Sequence, residues 1–164
     1  MGLLFRMKYK KNGFALLEAL VAAGILSTVL AGSIGALLIS TRSASTNGAR
    51  MEAAYLADEG IEAVRILRDN GWSANIASHA SGAPFYIGWN GTTWVATTTN
   101  AFVDGLFERS VEFADVNRDG SQQIAPNGSL DSDTKKITVT VSWRSDDATS
   151  SRTLSAYITN LFDN

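Results

Sequence analysis

An α+β fold is predicted, with one long N-terminal helix packed on an antiparallel β-sheet of about four strands. Three observations predict it. Residues 19–41 carry no charge at any position. Apolar residues then recur at three- and four-residue steps as far as Leu67, and beyond Trp72 the apolar period drops to two. A helical pattern followed by a strand pattern is the order of an α+β chain, and the amphipathic stripe supplies a cover for one face of the sheet. The divisions expected are 1–13, a basic lead-in; 14–41, an apolar half-helix; 42–71, an amphipathic half-helix; and 72–164, a β head.

Each element has its own signal. The 23 uncharged residues from Ala19 to Thr41, at about 1.5 Å per residue, match the ~30 Å hydrocarbon core of a bilayer. Ala53, Ala57, Gly60, Ile61, Val64 and Leu67 form one stripe, and Glu62 with Arg65, and Arg65 with Asp69, have the spacing of surface ion pairs on the other side. Gly71 marks the stop. Phe85–Trp89 and Thr92–Ala96 flank Asn90-Gly91, a hairpin signal; a type I′ turn would set Trp89 against Thr92 and Ile87 against Trp94, both tryptophans on one side, facing the core or the helix. Phe107, Arg109, Val111 and Phe113 alternate with polar residues. Lys136 to Trp143 and Arg152 to Leu161 repeat the pattern, the first with Ile137, Val139, Val141 and Trp143 inward, the second with Leu154, Ala156 and Ile158 inward.

Composition narrows the function classes. With no cysteine there are no disulfides and no thiolate sites. Arg6, Lys8, Lys10 and Lys11 precede Gly13 with no acid among them. Setting these four aside leaves 10 basic against 16 acidic residues, a formal charge of −6, which argues against a general nucleic-acid binder. The lone histidine, His79, sits among Ser and Ala in a loop, where a solvated side chain is expected. Neither a nucleophile elbow nor a phosphate-binding glycine motif occurs, so a non-enzymatic role is expected.

The charge bias at the start keeps the N-terminus cytoplasmic and the bulk of the chain outside. A cleaved secretory signal would have a shorter apolar region, with Leu30-Ala31-Gly32 as its cut site, and Glu18 counts against it. A plain anchor would tolerate an acid near the helix end but leaves the Gly13-Phe14 junction unexplained. Gly13-Phe14-Ala15-Leu16-Leu17-Glu18, after Lys10-Lys11 and before the apolar run, resembles the processing site of type IV prepilins and of the pseudopilins of secretion systems. The resemblance covers the first quarter of the chain. Ala15 stands where Thr or Ser is frequent in that family, and Leu17 where Ile or Val is frequent.

The resemblance implies a pilin fold and cleavage between Gly13 and Phe14 by prepilin peptidase, with methylation of the new terminal Phe14. It implies an assembly role for Glu18, met by the amine of Phe14 in its own or a neighbouring subunit. The partners implied are other pilin subunits, contacted through the helix, and the inner-membrane assembly machinery. The precursor would be a single-pass inner-membrane protein; the product would be an extracellular pilus or a filament of the cell envelope. A pseudopilin, or a tethered calcium-binding or adhesive domain that never polymerises, stays open as an alternative.

Asp115-Val116-Asn117-Arg118-Asp119-Gly120 sets oxygen-bearing residues at alternate positions before a glycine, as an EF-hand-type loop does. The Glu expected at the twelfth position is Pro126, so Asp131 or Asp133 would complete a set of Asp115, Asn117, Asp119 and Ser121. Calcium is the cofactor such ligands suit, and some pseudopilins carry it in C-terminal loops. An acidic surface turn without metal explains the same residues.

Overall fold

The computed structural model describes residues 12–100, 102–145 and 148–162. The basic lead-in, Arg6 to Lys11, lies outside them. The elements are a helix α1 (Asn12–Asp69), a single π-helical turn (Ser73–Ala77) and strands β1 (Phe85–Trp89), β2 (Trp94–Thr97), β3 (Phe107–Arg118), β4 (Ser129–Ser145) and β5 (Ala148–Thr159). The chain divides into two compact units, Met1–Ser45 and Thr46–Asn164.

In the second unit the strands form one antiparallel sheet in the order β2-β1-β3-β4-β5. The α+β expectation holds, with five strands because both arms of the hairpin join the sheet. The part of α1 from Thr46 onward packs on it through the expected stripe: Ala53, Ala57, Ile61, Val64 and Leu67 are buried together with Leu56 and Ala63. Facing them are Phe107, Val111 and Phe113 of β3, Ile137, Val139, Val141 and Trp143 of β4, and Ile158 of β5. Leu154 and Ala156 are partly buried against the same core. Burying each large apolar side chain contributes roughly 1.5–3 kcal/mol, and this stripe, rather than helix propensity, holds the helical segment in place.

Gly60 sets how closely helix and sheet approach. A Cβ there would lie 2.7 Å from Val139 Cγ1 and 3.2 Å from Arg109 Cδ, inside van der Waals contact. Helix α1 ends as expected: Gly71 adopts φ +142°, a conformation side chains other than glycine's disfavour, and its N–H donates to the Arg68 carbonyl at 3.1 Å. Glu62 and Arg65 form the expected ion pair. Asp69 pairs with its neighbour Arg68 instead of Arg65.

Several local expectations are corrected. The β1–β2 register places Trp89 opposite Trp94 and Ile87 opposite Ala96, across a four-residue connection, Asn90 to Thr93. The cause is the Asn90 side chain, whose Oδ1 accepts from the N–H groups of Thr92 (3.0 Å) and Thr93 (2.9 Å), closing a wider loop than a two-residue turn. The tryptophans do share one side, their rings edge to face at 5.8 Å. Only Trp94 packs against the core; Trp89 is 58% exposed. His79 is half-buried, stacked on Phe85 at 4.2 Å with its edge toward Phe113. That burial holds its pKa below the usual histidine value.

Candidate functional site

The first candidate is the N-terminal segment of α1. Its most apolar 18-residue stretch has a mean hydropathy of 2.1 with none of it buried, long and apolar enough to cross a membrane. Phe14, Leu17, Val21, Ile25, Val29, Ile34 and Leu38 are all exposed, and so are Leu16, Leu20, Leu26, Leu30 and Leu37 on other faces. A helix apolar on every side suits lipid or other helices rather than one protein face. Four of its hydroxyls are satisfied within the helix: Ser27 donates to the Ala23 carbonyl (2.7 Å), Thr28 to Ile25 (2.8 Å), Ser33 to Val29 (2.8 Å) and Thr41 to Leu38 (3.0 Å). This is what a non-aqueous surrounding requires of polar groups. At Gly24, Gly32 and Gly35 an added Cβ would meet nothing within 4 Å, so the packing of this chain does not demand these glycines.

Glu18 sits within this surface, exposed and one helical turn after Phe14, and joins no ion pair among the described residues. The Gly13–Phe14 bond lies in the first turn of α1, where backbone N–H groups lack intrahelical partners.

The second candidate is the segment from Asp115 to Asp133, and here β3 and β4 reach further than the sequence pattern suggests. Val116, Asn117 and Arg118 pair with Asp131, Leu130 and Ser129, leaving 119–128 as the connection. Between Asp115/Lys135 and Val116/Asp131 the register slips, leaving Ser132, Asp133 and Thr134 of β4 without a partner on β3, while Thr134 still pairs with Thr159 of β5. The predicted ligands have the following partners among the described residues. Asp115 pairs with Lys135. Asn117 donates to the Pro126 carbonyl. Asp119 Oδ1 accepts from the N–H groups of Ser121 (2.8 Å) and Gln123 (3.0 Å), an Asx turn. Asp133 Oδ1 accepts from Asn160 at 3.3 Å. Among the described residues no group of three or more His, Cys, Asp or Glu side chains gathers as a metal site.

Arg118 gathers what the connection offers instead. Its Nε donates to Asp131 Oδ2 (2.5 Å), Nη1 to the Gln122 carbonyl (2.8 Å) and Nη2 to the buried hydroxyl of Thr134 (3.2 Å). The guanidinium beside Asp131 is the main reason its carboxyl is held below the usual range, with the Thr134 hydroxyl adding to it. Gly128 is required at the base of this loop, because a Cβ there would meet the Arg118 carbonyl oxygen at 2.2 Å.

A third feature escaped sequence reasoning in part. Arg109 was placed on the dry face of β3 by alternation, and it is 4% exposed. Its partner was not legible: Nη1 donates to Glu59 Oε2 at 2.9 Å and to the Leu56 carbonyl at 3.3 Å, and the guanidinium lies 5.1 Å from the Trp94 ring centroid. Glu59 stands 50 residues away on α1, and the only signal was a charged residue in a strand position otherwise reserved for apolar ones.

Compared with protein-family models, curated proteins and solved structures, the chain gives no match.

Proposed function

We propose that the chain is a type IV pilin-like precursor, cut between Gly13 and Phe14 and polymerised through its apolar helix into a pilus or pilus-like filament that displays the β head. The observation that carries this reading is Glu18, an unpartnered carboxylate in a helix apolar on all sides. A bare carboxylate in hydrocarbon costs several kcal/mol, so it must neutralise, reach the headgroups or meet a cation. Cleavage after Gly13 creates that cation: the amine of Phe14 lies one turn away in the same chain and is equally presentable to the Glu18 of a neighbour. Gly24, Gly32 and Gly35, unconstrained by their own chain, favour close approach of several stems. The role is structural rather than catalytic, with prepilin peptidase and the inner-membrane assembly machinery as partners.

The test is mass spectrometry of sheared surface filaments, with a peptide beginning at N-methylated Phe14 expected. Replacement of Glu18 by Ala is expected to leave insertion and cleavage intact while filament incorporation falls sharply. Wild-type incorporation of the Glu18→Ala chain would remove the proposed role.

A further inference from the structure

A groove of about 600 Å³ runs between the flank of α1, at Arg50 and Ala54, and the end of the sheet, at Trp143, Ser150, Ser151 and Arg152. Register explains its chemistry. Arg152 pairs with Val141 and Ser150 with Trp143, so both lie on the helix-facing side of β5, at the sheet's edge, where α1 no longer covers them. Among the described residues that line the groove, the charged ones are Arg50 and Arg152. Although acids outnumber bases in the chain, neither guanidinium takes part in an ion pair or hydrogen bond among the described residues. Two cations in one concave space repel unless an anion joins them.

We propose that this groove binds a phosphate-bearing ligand. Two guanidinium forks match phosphate oxygens, the Ser150 hydroxyl adds a neutral donor, and no carboxylate lines the groove among the described residues. The volume falls within the roughly 300–1,000 Å³ of small-molecule clefts, leaving room for an organic group esterified to the phosphate. The phosphate can belong to a lipid headgroup or be free in solution. Arg50 follows the uncharged run by nine residues, so the lipid source is the one tested against the free anion. The inference rests on the second unit alone and does not require polymerisation.

The experiment titrates the full chain in dodecyl maltoside micelles, at constant ionic strength set with chloride, with inorganic phosphate in one arm and dihexanoyl phosphatidylglycerol in the other. All four tryptophans lie beyond Ser45, so their fluorescence reports the unfolding temperature of the second unit. A saturable rise is expected, weakened roughly tenfold or more by Arg50→Gln or Arg152→Gln, as befits one charge-assisted contact. Arg144→Gln, on an exposed side chain outside the groove, should change nothing. Tighter binding of the lipid than of inorganic phosphate assigns a headgroup; equal binding assigns the free anion. Saturation by neither probe, or wild-type binding by the Arg50→Gln/Arg152→Gln chain, overturns the proposal.

Discussion

Replacing Glu59 by Ala should destabilise the sheet-bearing unit more than replacing Arg109 by Met, although the two side chains form one ion pair. The asymmetry follows from burial. Arg109 is 4% exposed at the side chain and Glu59 47%. Removing the carboxylate strands a guanidinium in the core, with only the Leu56 carbonyl and the Trp94 ring left to it. Breaking a buried pair in this sense costs about 3–5 kcal/mol. Water already reaches Glu59 and screens the pair, so a figure near the low end, roughly 3 kcal/mol, is expected. Arg109→Met instead removes the buried charge, fills much of the same volume with apolar atoms, and returns Glu59 to water. The hydrogen bonds to Glu59 and the Leu56 carbonyl and the contact with the Trp94 ring are lost, largely recovered as relieved desolvation, for a net cost of about 1 kcal/mol. The double variant should then resemble Arg109→Met, with a coupling of roughly 2–3 kcal/mol in the cycle. Guanidinium unfolding of the full chain in micelles, followed by tryptophan fluorescence, measures all four corners. Equal costs for the two single variants, or additive ones, would refute the account of which partner the core cannot release.

Three further outcomes are expected. Gly60→Ala should cost about 1–3 kcal/mol, because the new methyl overlaps Val139 Cγ1 and must push α1 off β4; a neutral result in the same unfolding assay would mean the helix shifts freely. Asp131, whose carboxyl is depressed by Arg118, stabilises the fold above its unfolded value near 3.8, and this is lost as pH falls through its lower folded value. Asp131→Asn should therefore shrink the fall in unfolding temperature between about pH 5 and pH 2.5, and an unchanged fall would count against the Arg118 clip. Gly32→Leu should leave the unfolding temperature of the head untouched, since nothing lies within 4 Å of that position, yet lower the filament yield; undiminished yield would show that stems do not pack there.

The lengths of the strands beyond the core were not legible, and the reason is physical. Apolar alternation marks a strand only where one face is buried, so it traces β3 only as far as Phe113 and β4 only from Lys136. The remaining ladder, Asp115 to Arg118 against Ser129 to Lys135, is held by backbone pairing and the Arg118 contacts, which leave no apolar period. The same polar residues read equally well as metal ligands, because Asp, Asn and Gly serve turns, bulges and cation sites alike. At the hairpin, Asn90-Gly91 announced a reversal, but the choice between a two-residue and a four-residue connection lay with the Asn90 side chain and the pairing of Trp89 with Trp94.

What the amino-acid order determined by itself was whatever depends on local period and charge: an apolar helix with one acid a turn after Phe14, an amphipathic continuation stopped at Gly71, and strands with a single dry face. These follow from how often an apolar residue returns to the same side. Tertiary structure alone decided which distant groups meet, Glu59 with Arg109, Arg118 with Asp131, and Arg50 with Arg152 across one groove. Such meetings depend on strand order and on the depth at which α1 seats over Gly60, quantities that no window of sequence contains.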